Sequence, residues 1–347
     1  MNRKENTINI GGRIIGRDYE PFVIAEIGIN HEGSLSKAKR MVDDAKKAGA
    51  ECVKFQSHII EDEMIENSVI PGNAKESIWD IMKRCALTEA EEIELKKYVE
   101  GLGMIYLCTP FSRTAADRLQ KMGVPAFKIG SGECNNYPLI EHVASFGKPV
   151  ILSTGMNNIK SIKKSVFILE KYKVGYALLH CTSIYPTPYE KVRLNALADL
   201  KENFKNTIIG LSDHSIGNYT SFAAVSLGAS IIEKHFTSDK NWVGPDISIS
   251  ITPLELSDLI KGCKAIHKAL GGKKTILEEE TPTIKFAYAS VVAIKDIEKG
   301  EYFTKDNLWV KRPGTGEIRP DSYSKILGKK AKKDIKKDSQ LKRNMIS

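Results

Sequence analysis

Two lysines, Lys54 and Lys128, stand inside short apolar runs, where an ammonium group is costly unless something pairs with it. Both runs end in polar residues: Gln56 and His58 follow Lys54, and Ser131 and Glu133 follow Lys128. Similar runs elsewhere close on Glu26, Thr109, Ser153, Ser183 with Tyr185, Ser212 with His214, and His235. Loop solvation explains any single Ser or Thr at such a place. Two lysines and several hydroxyls gathered at one mouth suit a phosphate or carboxylate anion, with structural ion pairs as the alternative. His214 and His235 end consecutive runs, so their imidazoles can share one divalent ion and leave positions open for substrate oxygens and water. A pair without a thiolate or fixed carboxylate favours Mn²⁺ or Mg²⁺ over structural zinc, although a lone histidine is usually structural. Glu26, Glu133 and Asp246 add carboxylates able to bind sugar hydroxyls or move protons.

The elements that must position these groups recur along residues 22–270 as a short apolar run followed by a polar, helix-patterned stretch. The apolar runs are 22–30, 52–58, 104–110, 126–133, 149–155, 176–183, 207–215 and 230–237. Each is rich in Val, Ile or Leu and bounded by Gly, Pro or polar residues, as expected of strands buried on both faces. Residues 36–48 are one of the intervening helices, with Ser34 or Ser36 as its N-cap and Gly49 as its stop. Eight strand–helix units in about 250 residues predict an α/β fold, a (β/α)8 TIM barrel whose strand C-termini carry the reactive residues. A doubly wound sheet is the alternative, but no dinucleotide fingerprint follows the first strand. Residues 1–20 read as a hairpin closing the barrel's bottom, giving a first domain at 1–270. A polar linker at 271–285 and a small β-rich domain at 286–347 complete the chain. The latter is too small to hold a catalytic pocket easily.

Composition narrows the class of protein. The chain of 347 residues is 41% apolar and 27% charged, without an apolar run long enough to span a bilayer. Its first residues, Met1-Asn-Arg-Lys-Glu-Asn6, lack the apolar core of a signal peptide. The 6 cysteines are scattered without a C-x-x-C pair and read as buried free thiols of a cytoplasmic protein. Of the net charge of +9, residues 286–347 carry +7, from 15 Lys and Arg against 8 Asp and Glu. Their lysine-rich run, 328–338, lacks the interleaved aromatics of a nucleic-acid surface, so a solvated lysine face is expected. No nucleic-acid or membrane partner is expected.

At this point the motifs resemble a known family. Ala25-Glu-Ile-Gly-Ile-Asn-His-Glu-Gly33, Lys54-Phe-Gln56, Phe127-Lys-Ile-Gly-Ser-Gly-Glu133, Cys181-Thr-Ser-Ile-Tyr-Pro-Thr-Pro188, Gly210-Leu-Ser-Asp-His214, Glu233-Lys-His-Phe236 and Gly244-Pro-Asp246 resemble those of sialic acid synthases. Ile297-Glu-Lys-Gly-Glu301 through Lys311-Arg-Pro-Gly314 is similar to their antifreeze-like (SAF) domain. The segments His58-Ile-Ile-Glu-Asp-Glu-Met64 and Pro71-Gly-Asn73 place the resemblance nearest the bacterial N-acetylneuraminate synthases.

The resemblance implies a condensation of phosphoenolpyruvate with open-chain N-acetylmannosamine. His214 and His235 would hold Mn²⁺ (or another divalent metal such as Mg²⁺), which polarises the aldehyde. C3 of phosphoenolpyruvate attacks that carbon, water adds to C2, and phosphate leaves by C–O cleavage. Lys54, Thr109, Lys128, Ser131, Ser153, Ser183 and Ser212 would hold phosphoenolpyruvate. Glu133 would orient or deprotonate the water, Glu26 would work near the aldehyde, and Gln56, Tyr185 and Asp246 would line the sugar site. Arg312 would reach the sugar's N-acetyl group from the partner chain of a swapped homodimer. Ser183 stands where close relatives often carry Asn, and Phe55 and Ser57 replace a His and a Thr seen in some relatives. A legionaminic or pseudaminic acid synthase, acting on a diacetamido-trideoxyhexose, keeps the same chemistry with another sugar. A non-catalytic sugar or nucleic-acid binder is the reading from a different class.

Overall fold

The computed structural model describes residues 7–72 and 74–347. Met1–Asn6, read above for a signal core, and Asn73, one of the residues carrying the resemblance, lie outside the described residues. The chain divides into two compact units, residues 1–271 and 272–347.

The first unit opens with an antiparallel hairpin, β1 (Ile8–Ile10) and β2 (Arg13–Ile15). Eight parallel strands follow: β3 (Phe22–Gly28), β4 (Cys52–Ser57), β5 (Ile105–Pro110), β6 (Phe127–Ile129), β7 (Val150–Ser153), β8 (Tyr176–Cys181), β9 (Ile208–Asp213) and β10 (Ile231–His235). Their order, β5-β4-β3-β10-β9-β8-β7-β6, places the first strand of the set beside the last. The sheet is a nearly closed TIM-type barrel, as the repeated strand–helix pattern predicts. Each predicted apolar run holds one of these strands. Run 126–133 keeps only three residues as strand, because Ser131–Glu133 turns into a 3-10 helix at the mouth. The first helix, α1 (Leu35–Lys47), starts where the hydroxyl of Ser34 accepts from the Lys37 N–H, a capping bond that satisfies an otherwise orphaned donor.

Strand alternation sorts the side chains into two environments. Outward residues such as Val53, Phe55, Tyr106, Phe127, Leu152 and Ile232 pack under the helices in the larger core. Inward residues on the lower half, including Phe22, Ile24, Cys52, Leu107, Ile151, Leu179 and Ile231, form a second apolar layer. Ile8, Ile10 and Ile15 of the hairpin join that layer and plug the bottom. The next inward positions upward are Glu26, Lys54, Thr109, Lys128, Ser153, Ser212 and Glu233. The barrel interior is therefore apolar below and polar above.

The second unit pairs β11 (Ser290–Ala293) with β12 (Leu308–Lys311) over a small core of Val291, Ala293, Ile297, Phe303, Leu308, Ile335 and Leu341. The stretch expected to be a polar linker instead contains a 3-10 turn, Glu278–Glu280, and a helix, Thr281–Ala287. Pro282 at the start of that helix supplies the fixed φ that its first turn needs, a signal masked by the surrounding charge. In the lysine-rich run Ala331 and Ile335 turn inward while Lys329, Lys330, Lys332, Lys333, Lys336 and Lys337 are exposed. All 6 cysteines are free and buried. Among the described residues no helix is long and apolar enough to cross a membrane.

Candidate active site

Two ammonium and two carboxylate groups meet on the polar half of the barrel interior. Lys54 Nζ lies 2.7 Å from Glu26 Oε2 and 3.9 Å from Glu233 Oε1. Lys128 Nζ lies 3.5 Å from the same Glu233 oxygen. Hydroxyls complete the cluster: Lys54 donates to Thr109 Oγ1 at 3.2 Å, Lys128 to Ser153 Oγ at 2.8 Å, and Ser212 to Glu233 Oε1 at 3.1 Å. All four charged side chains are almost wholly enclosed. Glu233 was not singled out from the sequence as a site residue. Its place in the Glu-Lys-His run two residues before His235 is the available signal.

Burial raises Glu26 to about 7, against the pull of Lys54 and with a push from the Glu233 charge. Burial also opposes the charge of Lys54, but Glu233 and Glu26 together outweigh it and raise that ammonium. At Lys128 burial wins over Glu233 and lowers it, whereas Glu233 is held down by Lys128 and Lys54 despite its own burial. The quartet sets two ammonium groups beside several hydroxyls. That arrangement can receive an anion.

A second layer of hydroxyls lies above Lys128. The Gly155 N–H donates to Ser131 Oγ at 3.0 Å. A Cβ at Gly155 would meet Ser183 Oγ at 2.5 Å and Ser131 Oγ at 2.8 Å, so glycine keeps room for both. Glu133 is half-buried, raised by burial, and accepts from Asn136 Nδ2 at 2.5 Å. The nearest partners of the three carboxylates differ: Lys54 for Glu26, Asn136 for Glu133 and His235 for Asp246.

The two histidines do come together. Their ring centroids are 5.4 Å apart, and Tyr185 stacks on His214 at 4.2 Å. His214 Nδ1 faces the Thr182 carbonyl at 2.9 Å, which fixes the ring. His235 Nδ1 is buried without a hydrogen-bond partner, 3.8 Å from Asp246 Oδ2. Burial and the neighbouring His214 push His235 far below the usual imidazole range, so it is a neutral donor of electron pairs. Burial raises Asp246 to about 6. Two imidazoles, one with an orphaned nitrogen, would offer two ligands to a divalent ion such as Mn²⁺ or Mg²⁺, with the Asp246 carboxylate nearby. No group of three His, Cys, Asp or Glu among the described residues is arranged to hold a metal. Water and substrate would complete the coordination of any ion bound there.

Gln56 Nε2 donates to Glu26 Oε1 at 3.2 Å, which places it at the mouth beside the quartet. Arg312 lies in the second unit, exposed directly after β12. Phe55 and Ser57 point outward: Phe55 stacks on Tyr106 at 5.6 Å, and Ser57 donates to Glu92 Oε1 at 2.8 Å. Not every buried lysine serves the mouth. Lys234 faces the helices and bonds Asp213 Oδ2 at 2.9 Å, a structural pair bracketed by Thr220 and Ser221.

Comparison with known proteins gives this architecture a family. A model described as the NeuB family matches residues 41–275, and an SAF domain model matches residues 288–347. N,N'-diacetyllegionaminic acid synthase of Campylobacter jejuni is 39% identical, over 92% of this chain and 98% of its own. Human N-acetylneuraminate-9-phosphate synthase is 33% identical, over 96% of this chain and 95% of its own. The crystal structure of N-acetylneuraminic acid synthetase from Leptospira borgpetersenii, in complex with citrate, aligns with a TM-score of 0.75 at 35% identity, covering 82% of this chain and 97% of that one. With both units matched and relatives aligned over nearly their full length, the chain belongs to the NeuB family of sialic-acid-type synthases.

Proposed function

We propose that this chain condenses phosphoenolpyruvate with N-acetylmannosamine, giving N-acetylneuraminic acid and phosphate. The observation that carries the reading is the pair of enclosed ammonium groups, Lys54 and Lys128, set among hydroxyls over an apolar barrel floor. Enol phosphates carry their charge on phosphate and carboxylate, and such a site pays in advance for desolvating them. Lys54, Lys128, Thr109, Ser153 and Ser212 hold that anion, with Ser131 and Ser183 at its upper edge. C3 of phosphoenolpyruvate forms the new bond to the sugar's aldehyde carbon. Glu133 orients water toward C2 and takes its proton, and phosphate departs with the C2 oxygen.

His214 and His235 are the residues that would hold Mn²⁺ or Mg²⁺. Bound there, such an ion would supply Lewis acidity toward the aldehyde oxygen. Asp246, Tyr185 and Gln56 face the sugar, and Glu26 stands beside the aldehyde. Arg312, exposed on the second unit, serves the sugar site of a partner chain in a swapped homodimer.

A second reading exchanges the sugar for a diacetamido-trideoxyhexose, and the 39% identity to a legionaminic acid synthase favours it. The two differ in how the pocket reads the sugar's periphery, not in the anion site. Incubation with Mn²⁺, phosphoenolpyruvate and each sugar separately, with released phosphate as readout, decides between them. Sugar-dependent phosphate with N-acetylmannosamine supports the first reading, and release only with the diacetamido sugar supports the second. Phosphate release with neither sugar overturns both.

A further inference from the structure

A hydrogen-bonded chain runs away from the anion cluster into the wall of the barrel. Gln56 Nε2 donates to Glu26 Oε1 at 3.2 Å, and Gln56 Oε1 lies 3.0 Å from His58 Nε2. On its other side His58 Nδ1 lies 2.7 Å from Glu63 Oε2, at the end of the short helix Ile60–Glu63. The chemistry of the end groups fixes the polarity. The Gln56 amide gives its NH₂ to Glu26, so its oxygen must accept, and the Glu63 carboxylate can only accept. With the amide in this orientation His58 Nε2 faces the Gln56 oxygen as its donor, and Glu63 holds the ring from the Nδ1 side. The ring is itself clamped, buried and stacked on Phe111 with centroids 4.7 Å apart and planes 16° from parallel. Gly28, at φ 55°, clears the space over the Gln56–Glu26 contact: a Cβ there would press on both atoms at 3.2 Å.

We propose that His58 is a positioning residue, which Glu63 and Phe111 hold so that it fixes the Gln56 amide with its NH₂ toward Glu26. Without the His58 donor the amide is free to turn over. It would then set its oxygen against a carboxylate oxygen and swap donor for acceptor at the mouth. Gln56 touches the sugar only under the function proposed above, and the inference rests on that reading for its kinetic consequence.

The test is a double-mutant cycle over His58→Phe and Gln56→Met, read in steady-state constants. His58→Phe retains a ring against Phe111 and removes both ring nitrogens. If His58 acts through Gln56, KM for the sugar rises by about tenfold while KM for phosphoenolpyruvate stays unchanged. The same change then adds nothing in the Gln56→Met background. Glu63→Leu raises the same constant, and Glu63→Gln, which keeps an acceptor oxygen, restores it. Additive effects, or an unchanged sugar KM in folded His58→Phe protein, overturn the proposal. If the wild type turns over none of the sugars, the functional reading fails by itself. The cycle is then read in the unfolding free energy of the apoprotein, where non-additivity supports the clamp and additivity overturns it.

Discussion

Glu233 reaches across the barrel to Lys128, the carboxylate oxygen 3.5 Å from the ammonium nitrogen, with both side chains shut away from water. The same oxygen lies 3.9 Å from Lys54, so one carboxylate offsets two cations. Removing it leaves Lys54 with Glu26 and Thr109, and Lys128 with the Ser153 hydroxyl and the Ile129 carbonyl. Glu233→Leu should lower the unfolding free energy by about 3–5 kcal/mol, the usual cost of stranding a buried charge. Denaturant unfolding measures this, and a wild-type midpoint would show that the cations do not depend on Glu233.

Gly155→Ala tests the hydroxyl layer. The new methyl would fall within 3 Å of both Ser131 Oγ and Ser183 Oγ, which must then move. KM for phosphoenolpyruvate should rise by about tenfold or more, with little loss of stability. An unchanged KM would remove these two serines from the anion site.

Glu133→Gln should slow the step that consumes water, because an amide can hold a water molecule but cannot take its proton. The loss should fall on kcat, by about a hundredfold or more. A wild-type kcat would take Glu133 out of the mechanism.

Stability should fall on the acid side because of His31. Burial, helped by the nearby His58 and Lys37, lowers this imidazole from 6.5 to about 4 in the folded chain. The unfolded chain therefore binds the proton more tightly, so the contribution is fully present above about pH 6.5 and is lost as pH falls through 4. Its full size is roughly 3 kcal/mol. A His31→Gln variant should show a shallower loss of unfolding free energy between these limits, and parallel curves would contradict the assignment.

Chelation should abolish turnover, and Mn²⁺ should restore it. His235→Ala should also lower metal occupancy measured directly on the protein, because it removes one of two imidazoles. Full activity and zero bound metal together would dismiss this site.

The barrel was legible because each strand is a bounded apolar run and because Lys54 and Lys128 break two of those runs with charge. What remained hidden depends on which way a side chain faces and which strands are neighbours. Glu233 and Lys234 are adjacent in a fully buried strand, and nothing in their order says that one faces the mouth and the other the helices. Lys128 and Glu233 belong to strands that are not hydrogen-bonded to each other, so their pairing exists only once the sheet curls. The helix Thr281–Ala287 escaped notice for a different reason: its charged surroundings resemble a linker.

The most direct measurement follows the oxygen that bridges C2 and phosphorus in phosphoenolpyruvate. With that atom labelled as ¹⁸O, and with Mn²⁺ and the accepted sugar present, the released phosphate should carry the label, because the C–O bond breaks. Unlabelled phosphate with the label retained in the sugar acid would mean P–O cleavage and would contradict the account.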